Sequence, residues 1–271
     1  MIGADNRIDG VTPSRLEVRE MARSFPAERR GEAPGEVLRD ISLSVRAGEF
    51  VAIVGPSGCG KSTLLNVIAG LQEPTSGYVA LDGERNARRL GLVAYMHQRD
   101  LLLPWRTVLE NARLGLELQG MPLNEANRRA GDLTARFGLG GVEQAYPWRL
   151  SGGMRQRVAL LRATLPDQGV LLLDEPFGAL DAITRADLQQ WLADVLDRED
   201  KAVVLVTHDV EEALLLADRV LVMSSSPGRI IENITVDLPR PRSSEVVTDS
   251  RFVELKRRLL AALGLHRGAA L

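Results

Sequence analysis

Only one cysteine, Cys59, occurs in the 271 residues, so no internal disulfide can brace the fold and a reducing compartment is the expected setting. Long apolar runs are also missing. The richest, GVLLL at Gly169 to Leu173 and AVVLVT at Ala202 to Thr207, fall far short of the roughly 20 residues a spanning helix needs. The chain is therefore not expected to cross a bilayer, and any membrane role must come through a partner. The opening segment MIGADNRIDG lacks the basic-then-apolar plan of a secretory signal. There is no surplus of positive charge either: 34 Lys and Arg against 36 Asp and Glu give a net charge of -2, which offers nucleic acid no polybasic face. No repeat or low-complexity segment breaks the chain. With 45% hydrophobic and 26% charged residues it can bury one substantial core, with room for an inserted or appended subdomain.

Short buried-strand runs alternate with longer helical patterns, which predicts an α/β fold with a mostly parallel core sheet covered on both faces. The strand candidates are Phe50 to Val54, Leu92 to Met96, Val170 to Leu173, Ala202 to Val206 and Arg219 to Met223. Helical patterns follow at Lys61 to Ala69, Thr184 to Asp197 and Val210 to Ala217. Between Leu103 and Leu165 the strand signal disappears. There RTVLENARLGLELQG, NEANRRAGDLTARFG and SGGMRQRVALLRATL each carry apolar residues three or four apart, so an inserted α-helical subdomain is expected. The first 46 residues hold two β-like patterns joined by the polar loop PAERRGEAPG and predict an antiparallel β subdomain at the edge. After Met223 a turn and a further strand are expected, and Ser250 to Leu263 closes the chain as a helix.

GPSGCGKST, Gly55 to Thr63, fits G-x-x-x-x-G-K-[ST] and lies between the apolar run FVAIV and a helix, where a phosphate-cradling loop belongs. Gly55, Pro56, Ser57, Gly58, Cys59 and Gly60 form the loop, whose amides can turn inward onto phosphate oxygens. The helix after it adds its partial positive charge. Lys61 can neutralise β- and γ-phosphates, Ser62 offers a hydroxyl to Mg²⁺, and Thr63 completes the motif. Cys59 reads as a small loop residue and not as a nucleophile. The strand GVLLL ends in Asp174 and Glu175, which places one carboxylate beside a metal and the next beside an attacking water. Together the two motifs point to nucleoside triphosphate hydrolysis.

A second helix start with the character of an anion site follows at Ser151, Gly152 and Gly153. Ser151 is a good N-cap, and the two glycines leave helix-terminal amides open to phosphate oxygens. The glycines could instead serve close helix packing alone. One chain has no second lysine or carboxylate pair to serve this helix, but a second copy could bring a γ-phosphate to it, reciprocally across a two-fold axis.

The segment LSGGMRQR, Leu150 to Arg157, resembles the signature motif of ABC-transporter ATP-binding subunits, and the order and spacing of the other motifs match across roughly residues 15 to 240. The resemblance implies a P-loop NTPase fold of the ABC ATPase type. Its core and β subdomain would span about 15–98 and 166–240, its helical subdomain about 99–165, and a C-terminal linker and helix about 241–271. It further implies that Phe25 stacks on adenine, that Gln98 reaches Mg²⁺ and the membrane partner, that Asp181 in GALD crosses a dimer interface and that His208 contacts the γ-phosphate. ATP and Mg²⁺ are the implied cofactors. The implied partners are a second copy of the chain, transmembrane permease subunits and, indirectly, an extracytoplasmic solute-binding protein, at the cytoplasmic face of the membrane.

LLPWRTVLEN, DEPFGALDAITR and the SPGRI to LPRPR tail resemble the branch serving nitrate, sulfonate, taurine and pyrimidine thiamine-precursor importers. Departures are His97, where proline is frequent, and PWRLSGG in place of PHELSGG. Part of the apolar stretch Leu101 to Trp105 is expected to pack in the helical subdomain, and an exposed remainder would form a docking groove for a partner helix, with Trp105 at its rim; wholly internal packing of the leucines is the other reading. A soluble ABC ATPase acting on the ribosome or nucleic acid is the alternative, but the chain has neither a second cassette nor a basic or coiled-coil insertion. A P-loop kinase would leave Ser151 and His208 without roles.

Overall fold

The computed structural model describes residues 14–26, 35–85, 88–196, 200–242 and 244–264. Two sheets form. The smaller is antiparallel, built from β1 (Ser14–Phe25), β2 (Gly35–Arg46) and β4 (Ser76–Leu81) in the order β2-β1-β4. The larger contains β3 (Phe50–Val54), β5 (Ala94–Met96), β6 (Val170–Asp174), β7 (Ala202–Val206), β8 (Arg219–Met223) and β9 (Ile230–Thr235), in the order β5-β6-β7-β3-β8-β9. All its neighbours pair in parallel except β9, which runs antiparallel to β8.

The parallel strands read as unbroken apolar runs because both of their faces are buried. Val51 and Ile53 of β3, Val170 and Leu172 of β6, and Val204 and Val206 of β7 pack toward the small sheet and α1 (Lys61–Ile68). The alternate residues Ala52, Leu171, Leu173, Val203 and Leu205 pack on the other side, against the helices. Four of those helices lie between β5 and β6: α2 (Val108–Ala112), α3 (Leu114–Leu118), α4 (Leu123–Thr134) and α5 (Gly152–Thr164). Further along the chain come α6 (Ala182–Leu196), α7 (Val210–Leu216) and α8 (Ser250–Ala262). Among the described residues no helix is long and apolar enough to cross a membrane.

Some elements differ from their sequence patterns for identifiable reasons. The third strand of the small sheet, β4, was not anticipated. Its first half is exposed and polar, and its backbone bonds are supplied by β1, distant in sequence. Gly77 permits that pairing: at φ +75° it lies so close to β1 that a Cβ would stand 2.3 Å from the Arg19 carbonyl oxygen. Strand β5 begins at Ala94 and not at Leu92, because a turn closed by the Leu92 amide on the Arg89 carbonyl (3.0 Å) keeps the preceding residues out of the sheet. The single helical pattern of RTVLENARLGLELQG divides into α2 and α3 at Arg113, where ψ opens to -4°. The Arg113 guanidinium fixes that bend by donating to Glu117 and to Asn127 of α4, each at 2.6 Å. The predicted helix from Thr184 begins two residues earlier, at Ala182, and its expected last residue, Asp197, lies outside the described residues, as do MIGADNRIDG and most of PAERRGEAPG.

The loop leading into α2 is held from within. Thr107 and Glu110 form a reciprocal capping box, with Glu110 N–H donating to Thr107 Oγ1 (3.3 Å) and Thr107 N–H to Glu110 Oε2 (2.8 Å). Asn111 is 0% exposed. Its Oδ1 accepts from the Leu103 amide at 2.8 Å, and its Nδ2 donates to the carbonyls of Leu103, Arg106 and Thr107 at 3.1, 2.9 and 3.0 Å. Replacing it with leucine strands a buried amide and several carbonyls together, for which a loss of about 2–3 kcal/mol is expected. A urea unfolding midpoint unchanged in Asn111→Leu would contradict this account of the loop.

Candidate functional site

The phosphate-loop motif occupies the turn from β3 into α1. Gly60, at φ +101°, sits immediately ahead of the helix, so the chain swings from strand to helix with its amides gathered at the helix N-terminus. Lys61 is buried, and its Nζ donates to the Gly55 and Pro56 carbonyls at 2.8 and 2.9 Å, which fixes the ammonium within the loop. Cys59 is buried, its Sγ 3.8 Å from Lys61 Nζ, in keeping with a packing residue. The loop opens onto a cavity of ≈ 270 Å³ lined by Ser57, Gly58, Gly60, Lys61, Ser62 and Thr63, together with Val37, Gln98 and Glu175.

Adjacent parallel strands bring the remaining groups to the same edge of the sheet. Asp174, the last residue of β6, is buried near the Ser62 hydroxyl. Burial raises its carboxyl above the usual range, the nearby Glu175 charge adds to this, and Ser62 and Lys61 oppose it. Glu175 follows at φ +49°, a left-handed backbone that is uncommon for a non-glycine residue. Its amide donates to the Val206 carbonyl of β7 at 2.9 Å. Its Oε2 accepts from Gln98 Nε2 at 3.1 Å, and its Oε1 lies 3.4 Å from His208 Nδ1, just beyond the end of β7. Four groups distant in sequence, Lys61, Gln98, Glu175 and His208, thus meet around one phosphate loop.

The other expected site residues stand apart. Ser151 caps α5 and accepts the Met154 amide at 3.2 Å, and with Gly152 and Gly153 it lies outside the residues lining the phosphate-loop cavity. Gly153 also serves close packing, since a Cβ there would stand 3.4 Å from the Ala179 carbonyl oxygen. Asp181 is exposed and caps α6 by accepting the Thr184 amide at 3.0 Å, the bond that holds its carboxyl below the ordinary range. Phe25 ends β1 with the Arg23 guanidinium 4.6 Å from its ring centre, whereas the apolar side chain lining the cavity is Val37.

This arrangement matches that of proteins already described. Residues 38–178 fit the model of the ABC transporter family. A taurine import ATP-binding protein of Pseudomonas savastanoi pv. phaseolicola is 41% identical over 260 residues, 93% of this chain and 97% of its own. An aliphatic sulfonates import ATP-binding protein of Rhodococcus jostii is 48% identical over 227 residues, 84% and 87% of the two chains. The chain belongs to the ABC transporter family. A solved dimeric ATP-binding cassette, MJ0796, in a post-hydrolysis state bound to ADP and phosphate, superposes with a TM-score of 0.75 at 30% identity, covering 83% of this chain and all of that one. The fold is accordingly an ABC ATPase cassette, and the chain is an ATPase.

The motifs did not announce every contact of this ABC cassette. Arg155 and Gln156, at the end of the LSGGMRQR stretch, and Arg162 beyond it reach from α5 to the loops that carry Gln98 and Glu175; nothing in the residue pattern gave a sign of those contacts. Glu212, on α7, is 5% exposed beneath His208 and shares a cavity of ≈ 40 Å³ with His208, Glu175 and Arg185. Burial pushes its carboxyl up to about 8, the charge of Asp209 adds to this along with that of Glu175, and Thr207 and Arg185 oppose it. Gln189 Nε2 donates to its Oε2 at 3.5 Å.

The sign of the resulting pH dependence follows from linkage. Between about 4.5 and 8 the unfolded chain ionises Glu212 while the folded chain keeps its proton, so stability present below 4.5 is lost as pH rises toward 8. Glu212→Gln removes this term. The variant's melting temperature should exceed that of the native protein by a margin that widens from pH 5 to pH 8, and a margin independent of pH would exclude the buried neutral carboxyl.

Proposed function

We propose that the chain is the ATP-hydrolysing subunit of an importer of small sulfonates such as taurine, acting as a dimer on the cytoplasmic face of the membrane beneath separate permease subunits. One observation carries the hydrolytic part: the Glu175 carboxylate, flanked by Gln98 and His208, at the wall of the phosphate-loop cavity. The cargo class rests on the relatives named for taurine and aliphatic sulfonate import. A nearby permease is supported by the exposed apolar rim beyond Gln98, where Trp105 is 70% exposed and Leu101 also faces solvent.

In this reading the loop amides and Lys61 hold the β- and γ-phosphates. Glu175 accepts a proton from a water whose oxygen bonds to the γ-phosphorus, while the bond from that phosphorus to the ADP oxygen breaks. Gln98 and His208 fix the carboxylate from opposite sides and leave it facing the cavity. The donors available to Mg²⁺ are hard oxygens: the Ser62 hydroxyl, the Asp174 carboxylate and the Gln98 amide oxygen. They suit that ion, and the Ser62 hydroxyl lies close enough to Asp174 to oppose the rise of its carboxyl. Bound Mg²⁺ would neutralise charge on the phosphate oxygens. Ser151, Gly152 and Gly153 would receive the γ-phosphate of the second copy, with Asp181 at the interface and Phe25 beside the base.

Two substitutions separate the roles. Glu175→Gln should retain ATP and accumulate as a dimer while turnover falls by about 10²–10⁴-fold, measured as phosphate release; hydrolysis at the native rate would remove Glu175 from the role of base. Ser151→Arg should spare ATP binding by the monomer yet abolish hydrolysis in the assembled transporter, whereas Lys61→Ala should lose both. Native activity in Ser151→Arg would end the shared-site reading.

A further inference from the structure

The left-handed backbone at Glu175 has to be held. For an L-residue this conformation brings Cβ against the following carbonyl, and it persists only where surrounding bonds over-determine it. Glu175 N–H is fixed on the Val206 carbonyl at 2.9 Å, but that bond leaves the peptide after Glu175 free to rotate. The second restraint comes from α5. Gln156, buried at 6% exposure, extends its amide so that Nε2 donates to the Glu175 carbonyl at 3.3 Å and to the Pro176 carbonyl at 3.2 Å. One NH₂ group thus spans two consecutive carbonyls and sets the plane of the peptide between them. Relaxing that peptide would swing the Glu175 side chain away from Gln98 and His208, which meet its two carboxylate oxygens.

Leu101 provides an internal comparison. It is another left-handed non-glycine residue near the site, at φ +45°, and its carbonyl also accepts from an α5 side chain, Arg162 Nη1, at 2.8 Å. The neighbouring Asp100 takes two more α5 donors: its carbonyl accepts Arg162 Nη2 at 2.6 Å and its Oδ2 accepts Arg155 Nε at 3.0 Å. Helix α5 therefore braces both loops that deliver the carboxylate and its glutamine partner, and its first residues are those beside Ser151.

We propose that Gln156 is a positioning residue that locks the backbone of Glu175 so that its carboxylate meets the attacking water. This rests on the assignment of Glu175 as the base. Gln156 has no contact with nucleotide in this account, so its loss should act on turnover and not on binding.

The test is steady-state ATP hydrolysis with MgATP, counted per ATP-binding site so that a loss of folded protein does not enter. Gln156→Met keeps the length of the side chain without a donor, and kcat is expected to fall on the order of 10²-fold, as for a misplaced reacting group, with KM and ATP affinity unchanged. Gln156→Glu sets a carboxylate against the two carbonyls and should lose more. Equal kcat per site in the native protein and in either variant would overturn the proposal. So would a parallel rise in KM, which would mark a general disturbance of the phosphate loop. Glu175→Gln run alongside separates the two levels: if it turns over normally the base assignment fails, and if it is inactive while Gln156→Met is normal only the positioning role fails.

Discussion

The site depends on the attachment of α5 to two loops that would otherwise not keep their shape. Leu101 and Glu175 both adopt left-handed backbone, at φ +45° and +49°, each costing on the order of 1–3 kcal/mol. Hydrogen bonds from Arg162 to the Leu101 carbonyl and from Gln156 to the Glu175 carbonyl offset it, at about 1 kcal/mol for a neutral donor and about 1.5–3 for a charged one. The magnitudes are comparable, so the strain is sustained by specific donors and not by bulk burial. Because those donors share one 13-residue helix, the two loops are fixed relative to each other as well as locally.

The parallel sheet supplies the other half of the arrangement. In register, Asp174 pairs with Val206, and Ile53 of β3 pairs with that same Val206. The strands β3, β6 and β7 therefore end at one level, and whatever follows each of them is delivered to one edge: the phosphate loop, Glu175 and His208. This is the general position of ligand sites in open parallel sheets, outside the carboxyl ends of the strands. The doubly buried strands make that edge rigid, since each is packed against the small sheet and α1 on one face and against helices on the other.

The parts of this plan legible in the sequence are those whose cause is local. FVAIV and VLLLD announce fully buried strands by composition, and GPSGCGKST announces its loop because only glycines allow the amides to turn inward. Ser151 was readable as a helix cap for the same reason, whereas the cap that Asp181 forms on α6 is seen only in the structure. Groups defined by distant pairing were not readable. The strand β4 exists because β1 bonds to it across some 60 residues of chain. Gln156 belongs to the legible LSGGMRQR stretch, but nothing in that stretch says that its side chain turns back onto Glu175, and Glu212 looks like half of an exposed acidic pair, although α7 turns one of the two neighbours inward and the other out. Nothing short of the packed structure distinguishes Glu211 from Glu212.

The helix α5 also bears on why one chain carries two helix starts of the kind that can hold an anion. A helix N-terminus can hold a phosphate only where its amides are open, and at α5 Ser151 satisfies the Met154 amide while leaving those of Gly152 and Gly153 without a side-chain cap. The same helix, one and a half turns further on, is committed to this chain's own Glu175 through Gln156. Rotating α5 so that its start met its own phosphate loop would break that bond, together with those from Arg155 and Arg162 to the Gln98 loop. The fold thus spends α5 on bracing one nucleotide site while presenting its open end outward, and in the proposed dimer the phosphate for that end is the second copy's. Within this chain, the two loops that α5 braces, at Leu101 and at Glu175, are tied directly to the helix whose open end would meet that phosphate.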